Sequence, residues 1–507
     1  LSVALWMSLT AVQTTLAAVV PYARPEPSAR TFNSSVLEQR LAELSGKQWK
    51  NENLKALFLN CLPMTVDSTV GFFTKGEIGV ARENAYVLVG NINTSIVGMW
   101  LRDSANQIEP YIMFAKDDPD ELGALVRGIL NRHVDSILLD PYAMAFSLVA
   151  PNGESNRHAD DNTTCLSPSG QRVDGMDRKM GVRERKFEMD SLLWPLRVGR
   201  LYNNRTGDSK PFDSRWFKAV ATIVSTLRGM QHPLTAHNYT KVPYTFQRST
   251  PEPKDTLAHG VGRPMRYTGM VRGAFRPSDD AQIFPYHIPD NCMAVVELRG
   301  VAALLRTLPQ HTLARANEEV VALASAAEEL AAEIDSGIQT YGVVHHPNGA
   351  TVFAMEVDGF GNAFFGDDAN VPSLLSLPFL GYTNSNDPVY KATRAYVLSA
   401  ETNPYFYGPG TENVSGVGSD NVANSVGWGH VWPLGLMVRA ITSDNDTEVL
   451  EMLSQLSRTS QNGFMHESVW IDDLSQITNP SFAWVSERER VCVCMCVCEC
   501  ECASVCV

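Results

Sequence analysis

Apolar residues recur every three or four positions over most of the chain, and segments obeying that rule predict helices. Leu37, Leu41 and Leu44 mark the inner face of a first helix, opened by the capping box Ser35-Val36-Leu37-Glu38. The same spacing predicts helices over 109–114, 120–130, 190–202, 214–230 and 293–308. The clearest spans Thr312–Ile338, where Leu313, Val320, Ala327, Leu330 and Ile334 share one face and glutamates fill the other. Three more follow at 391–399, 430–440 and 447–456. Strand patterns such as Tyr86–Val89 and Val352–Val357 are short and read as hairpins within loops. Helices joined by loops rich in Gly, Pro, Asn and Asp predict an all-α class; an inner and an outer ring fits the pattern, as do other helical stacks.

The 507 residues contain no Pro/Ser-rich linker that would divide the body, so 31–487 read as one large domain between a leader (1–30) and a tail (488–507). A polar loop over 151–185 is long enough to predict a functional rim. The net charge of −14 argues against nucleic acid as a partner, because phosphate binding needs concentrated Lys and Arg.

Leu1–Val20 is apolar and free of charged side chains, which predicts a secretory signal peptide, with a membrane anchor as the competing reading. Glycosylation acceptors at Asn33, Asn93, Asn162, Asn204, Asn238, Asn413 and Asn445 agree with a secreted or secretory-pathway protein. Of the ten cysteines, only Cys61, Cys165 and Cys292 lie in the body, so at most one bridge can form there. The other seven alternate with valine and glutamate between Cys492 and Cys506. Structural zinc sites space their ligands more widely, so this tail reads as a gene-model or splice artefact rather than a metal site.

Several acidic motifs carry candidate chemistry. Phe275-Arg-Pro-Ser-Asp279-Asp280 sets two acids beside an Arg, and His466-Glu467-Ser468 sets an acid between groups able to orient it. Two carboxyls from distant parts of a chain are the minimum equipment for hydrolysing a glycosidic bond. Trp100, Arg102 and Asp103 offer a flat apolar face with donors and acceptors for hydroxyls, although from this motif alone an Asp helix cap with an Arg salt bridge is the better explanation. Glu188 and Asp190 read as acids favoured at a helix start. Asp358, Asp367 and Asp368, among glycines and aromatics, suggest loops around a polar pocket, with calcium as the rival reading. No nucleophile elbow or Walker loop is present.

Taken in order, these blocks resemble glycoside hydrolase family 125, the exo-acting α-1,6-mannosidases. The resemblance runs from about Leu54 to Trp484 through Met99–Ser104, Glu184–Leu192, Phe275–Ala281, Ile288-Pro289, Glu356–Asn362, Asp367–Leu375, Asn403–Phe406 and Met465–Ser468. It implies an (α/α)6 barrel and metal-independent, inverting hydrolysis with no cofactor, acting on a mannose-containing oligosaccharide or glycoprotein glycan. By position, Asp279 corresponds to the general acid and Glu467 to the general base. Trp100, Arg102, Asp103, Asp280, Asp367, Asp368 and His466 correspond to sugar-binding positions. The chain departs from the family at Val89–Gly98, which is longer and carries the Asn93 acceptor, and after Trp484, where the final barrel helix gives way to the Cys-rich tail. A glycosidase of other sugar or linkage specificity, or an inactive mannose-glycan-binding protein, remains the alternative.

Overall fold

The structure is a computed structural model that describes residues 19–76, 82–90, 98–147, 161–166, 172–174, 181–235, 239, 242–421 and 428–483. The leader before residue 19, the Asn93 and Asn238 acceptors, most of the 151–185 loop and the Cys-rich tail lie outside the described residues. No helix among those described is long and apolar enough to cross a membrane.

The molecule is an (α/α)6 barrel. Its longer helices are α1 (Ser35–Ser45), α2 (Glu52–Cys61), α3 (Leu101–Ile108), α4 (Leu122–Leu139), α5 (Asp190–Thr206), α6 (Ser214–Met230), α7 (Ile288–Thr307), α8 (Asn317–Gly337), α9 (Pro388–Val397), α10 (Pro433–Ile441) and α11 (Asp446–Thr459). Helices α3, α5 and α7 pack side by side, while α4, α6 and α8 pack around them as a second layer. Burial separates the layers. Every residue of α3 is buried, Arg102 and Asp103 included, whereas α8 buries one stripe (Val320, Ala324, Ala327, Leu330, Ala331, Ile334) and leaves its glutamates in solvent. A helix enclosed on all sides that still carries charge must satisfy that charge locally, and α3 does so at its N-terminal end.

Small antiparallel sheets connect the helices. Three of them shape that end. Strands β1 (Met99–Trp100), β2 (Ala145–Phe146) and β3 (Val182–Glu184) form one, and β4 (Tyr286–His287), β5 (Glu356–Val357) and β6 (Ala363–Phe364) a second. The third comprises β7 (His430–Val431), β8 (Ser468–Trp470) and β9 (Asp473–Thr478). Strands β1, β4 and β7 each run directly or within two residues into an inner or packed helix, so helix N-termini gather at one end of the barrel.

The structure corrects several sequence expectations. The cap of α1 is Ser34, whose Oγ accepts from the Leu37 N–H; Glu38 closes no box and pairs instead with Arg24 and Arg30. The long helix predicted from Thr312 begins at Asn317, because the chain reverses at Ala314 (φ 49°) after a short turn ending at buried Leu313. His430 and Val431 belong to a strand, and Pro433 starts the helix behind them. Asp103 lies inside α3 and does not cap it. Cys61 and Cys292 are both buried.

Candidate active site

Asp279 sits at the tip of a tight hairpin. Phe275 pairs with Ala281, the Arg276 N–H donates to the Asp280 carbonyl (2.7 Å), and the Asp279 N–H returns to the Arg276 carbonyl (2.9 Å). Pro277 presets the turn, and Asp279 takes a left-handed backbone (φ 68°). Asp and Asn tolerate that conformation better than other side-chain-bearing residues, yet it still stores strain. Three contacts hold it. Lys186 Nζ donates to the Asp279 carbonyl at 2.8 Å, Arg102 Nη2 donates to Oδ1 at 2.8 Å, and Asn421 donates to the neighbouring Ser278 carbonyl. Asp279 itself stays partly open to solvent.

Behind it lies a group of acids around one guanidinium. Arg102 also donates through Nη1 to Glu188 (2.6 Å) and Asp190 (3.3 Å), and its Nε lies 3.9 Å from Asp103. Glu188, Asp190 and Asp103 are buried. Burial outweighs the attraction of Arg102: it pushes Asp103 and Asp190 up to about 7 and Glu188 well above the usual carboxylate range. The Glu188 backbone is placed by a parallel bridge to Phe275, which ties the acid cluster to the Asp279 hairpin.

Glu467 comes from the opposite direction, at the entrance to β8. Its N–H donates to the Thr478 carbonyl at 3.2 Å, and Asn479 Nδ2 donates to its Oε2 at 2.8 Å. Burial, with the nearby negative charges of Asp279 and Asp103, pushes Glu467 up to about 7, opposed by its bonds from Thr478 and Asn479.

Asp279 and Glu467 line the same cavity, of about 230 Å³, with Trp100, Arg102 and Asp103 in its wall. The other four candidates lie behind that wall. Asp280, held by Lys254 at 3.5 Å and by Ser278, is buried. Asp367 accepts the Leu374 and Leu375 N–H groups, and Asp368 accepts from Asn370 and Ser419, so both fix the loop that brings Asn370 to the cavity. Asp358 likewise spends its oxygens on Phe360 and Asn362. His466 bonds the Pro480 carbonyl through Nδ1 (2.9 Å) and supports the Glu467 turn.

Sequence reasoning did not single out other wall residues, among them Arg183, Asn370, Asn421, Trp432, Asn479 and Phe482. Arg183 lies over the Trp100 ring, 5.6 Å from its centroid. Trp432 has a buried indole N–H with no acceptor among the described residues, a donor available to a hydroxyl in the cavity. A larger cavity of about 790 Å³ lies along α6, but its lining contains no Asp or Glu and so lacks the carboxyl pair that glycoside hydrolysis needs.

Known proteins resemble this chain along most of its length. The model of a family described as metal-independent alpha-mannosidase (GH125) matches residues 51–488. The meiotically up-regulated gene 157 protein of Schizosaccharomyces pombe is 36% identical over 477 residues, covering 92% of this chain and 86% of that protein. A Streptococcus pneumoniae protein from a family of metal-independent alpha mannosidases, solved as a non-productive substrate complex with alpha-1,6-mannobiose, superposes with a TM-score of 0.77 at 32% identity. That match covers 91% of this chain and 98% of the bacterial one.

Proposed function

From the premise that the chain belongs to the GH125 family of metal-independent α-mannosidases, we propose that it removes single α-1,6-linked mannose residues from the non-reducing ends of glycans, with inversion. The observation carrying this reading is the shared cavity of Asp279 and Glu467. In the proposed step, Asp279 protonates the departing glycosidic oxygen while Glu467 takes a proton from a water attacking the opposite face of the sugar. An inverting pair must leave room for that water, at a carboxyl separation of roughly 6.5–9.5 Å.

Cavity size favours exo action. At about 230 Å³ it is smaller than the roughly 300–1,000 Å³ of pockets for drug-sized ligands, which suits one sugar ring rather than a chain threaded through. Linkage preference rests on the bacterial relative's complex. A secretory location is part of the proposal, supported by the exposure of the acceptors Asn33, Asn162, Asn204, Asn413 and Asn445.

A panel of linkage-defined mannobioses, with an end-labelled α-1,6-mannotriose, tests the reading. The α-1,6 isomer is expected to be cleaved fastest, and the triose to lose one mannose at a time. Faster cleavage of another linkage, or early release of an intact disaccharide, contradicts it.

A further inference from the structure

The acid assigned to Asp279 faces a physical difficulty, which its surroundings resolve. A general acid must carry a proton before the reaction, yet Asp279 is partly open to solvent and its Oδ1 is bonded to the cationic Arg102. The resolving group lies one step inward. Glu188 is 1% exposed, and it takes Arg102 Nη1 and the Ser191 hydroxyl on Oε2. Its Oε1 is buried with no donor among the described residues, and the Asp279 carboxyl is its neighbour on the same guanidinium. Two neighbouring carboxyls with no donor between them lack one component: a proton to share.

We propose that Glu188 is a positioning residue that shares a proton with Asp279 and so keeps the acid loaded at neutral pH. This rests on the acid role proposed for Asp279. The two carboxyls occupy opposite arms of one guanidinium, and their like charges disfavour double ionisation in a buried site. A proton held between the two carboxyls belongs to the pair rather than to either residue.

The surrounding charges are of both signs. From α3 come Arg102 and Asp103; from the segment before α5, Lys186; from α5, Asp190, with Asp290 and His287 of the α7 entrance behind it; and from the far wall, Glu467. Acids outnumber cations here, and His287 is held neutral because burial lowers it to about 4.

The bookkeeping closes. The pair begins with one proton and passes it to the leaving oxygen as the glycosidic bond breaks. The attacking water bonds to the anomeric carbon and gives its proton to Glu467. Afterwards Glu467 releases that proton to solvent, and the Glu188–Asp279 pair takes one back.

The test is the pH dependence of kcat/KM for Glu188→Gln, which keeps the shape and a donor but cannot ionise. On α-1,6-mannobiose the basic limb is expected to move down by about one pH unit or more, a loss of about tenfold where wild type is still protonated. The acid limb, set by Glu467, stays in place. On dinitrophenyl α-mannoside, whose leaving group needs no proton, the same variant loses little. Should Glu188→Gln not fold, Glu188→Asp withdraws the carboxyl from Asp279 and is expected to lower the basic limb in the same way. A basic limb unmoved from wild type overturns the proposal, as does equal loss on both substrates at every pH. Asp279→Asn separates the two readings: if it hydrolyses mannobiose normally, the acid assignment itself fails. If it is inactive while Glu188→Gln leaves the limb unmoved, only the proton sharing fails.

Discussion

On the proposed mechanism, the strain at Asp279 is tolerated because function requires it. A left-handed aspartate is unfavourable in backbone, and this one joins Glu188 and Asp190 as a third acid on one guanidinium. Asn takes the same backbone and carries no charge, so Asp279→Asn is expected to melt at or above the wild-type temperature. Its turnover of mannobiose should fall by about 10²–10⁴-fold, the usual share of a general acid. Calorimetry and kinetics on one preparation check both halves; a strongly destabilised variant would place Asp279 among the structural residues. At this scale the sequence was partly legible. The acid doublet and Glu467 announce chemistry by residue type, whereas Asn370, Asn421 and Asn479 reach the cavity only because distant loops converge, and no local pattern records that. Glu188 and Asp190 were read as ordinary helix-start acids. Asp190 does begin α5, but a helix-start preference does not reveal that a buried Arg102 awaits both.

At the scale of elements, periodicity located helices well where one face meets solvent. Residues 214–230 appear as α6 with the expected bounds, and the predicted stripe of α8 is buried. It failed where burial is complete or where geometry overrides composition. Helix α3 buries its polar residues together with Leu101, Ala105 and Ile108, so no face of it meets solvent, and Ala314 reverses the chain without a glycine or proline to signal the break. The start of α1 offers a direct comparison between the two readings. Because Ser34 supplies the cap and Ser35 is exposed, Ser34→Ala is expected to lose about 0.5–2 kcal/mol while Ser35→Ala is nearly silent. Urea unfolding of the two variants distinguishes them; the reverse order would restore the Ser35 capping box.

For the whole molecule, the buried acids make stability depend on pH. Burial raises Asp103, Asp190, Asp280 and Glu467 to about 7 and Asp367 to about 8. A carboxyl with a raised folded pKa binds more protons in the folded state than in the unfolded one, so its stabilisation is lost as pH rises through the folded value. The buried histidines His133 and His287, lowered to about 3 and 4, oppose this only below about 6.5, where an unfolded histidine charges. Between pH 6.5 and 8.5 the acids therefore dominate, and the melting temperature is expected to fall as pH increases. A flat or rising profile across that window would mean these groups are already ionised in the fold. The all-α class was foreseeable from the number and amphipathicity of helices, whereas the barrel came only from the family resemblance, because periodicity does not record which helices form the inner ring. In the fold, the acids around the N-terminal end of α5 and the Asp279 hairpin meet one shared arginine of α3.

The central claim is that Asp279 and Glu467 act on one sugar from opposite faces in a single displacement. Proton NMR of an α-1,6-mannobiose digest, recorded before the product mutarotates, tests it most directly. The β-anomer of mannose is expected to appear first, with the α-anomer growing in later. First appearance of α-mannose, or no hydrolysis by the folded protein, would contradict the account.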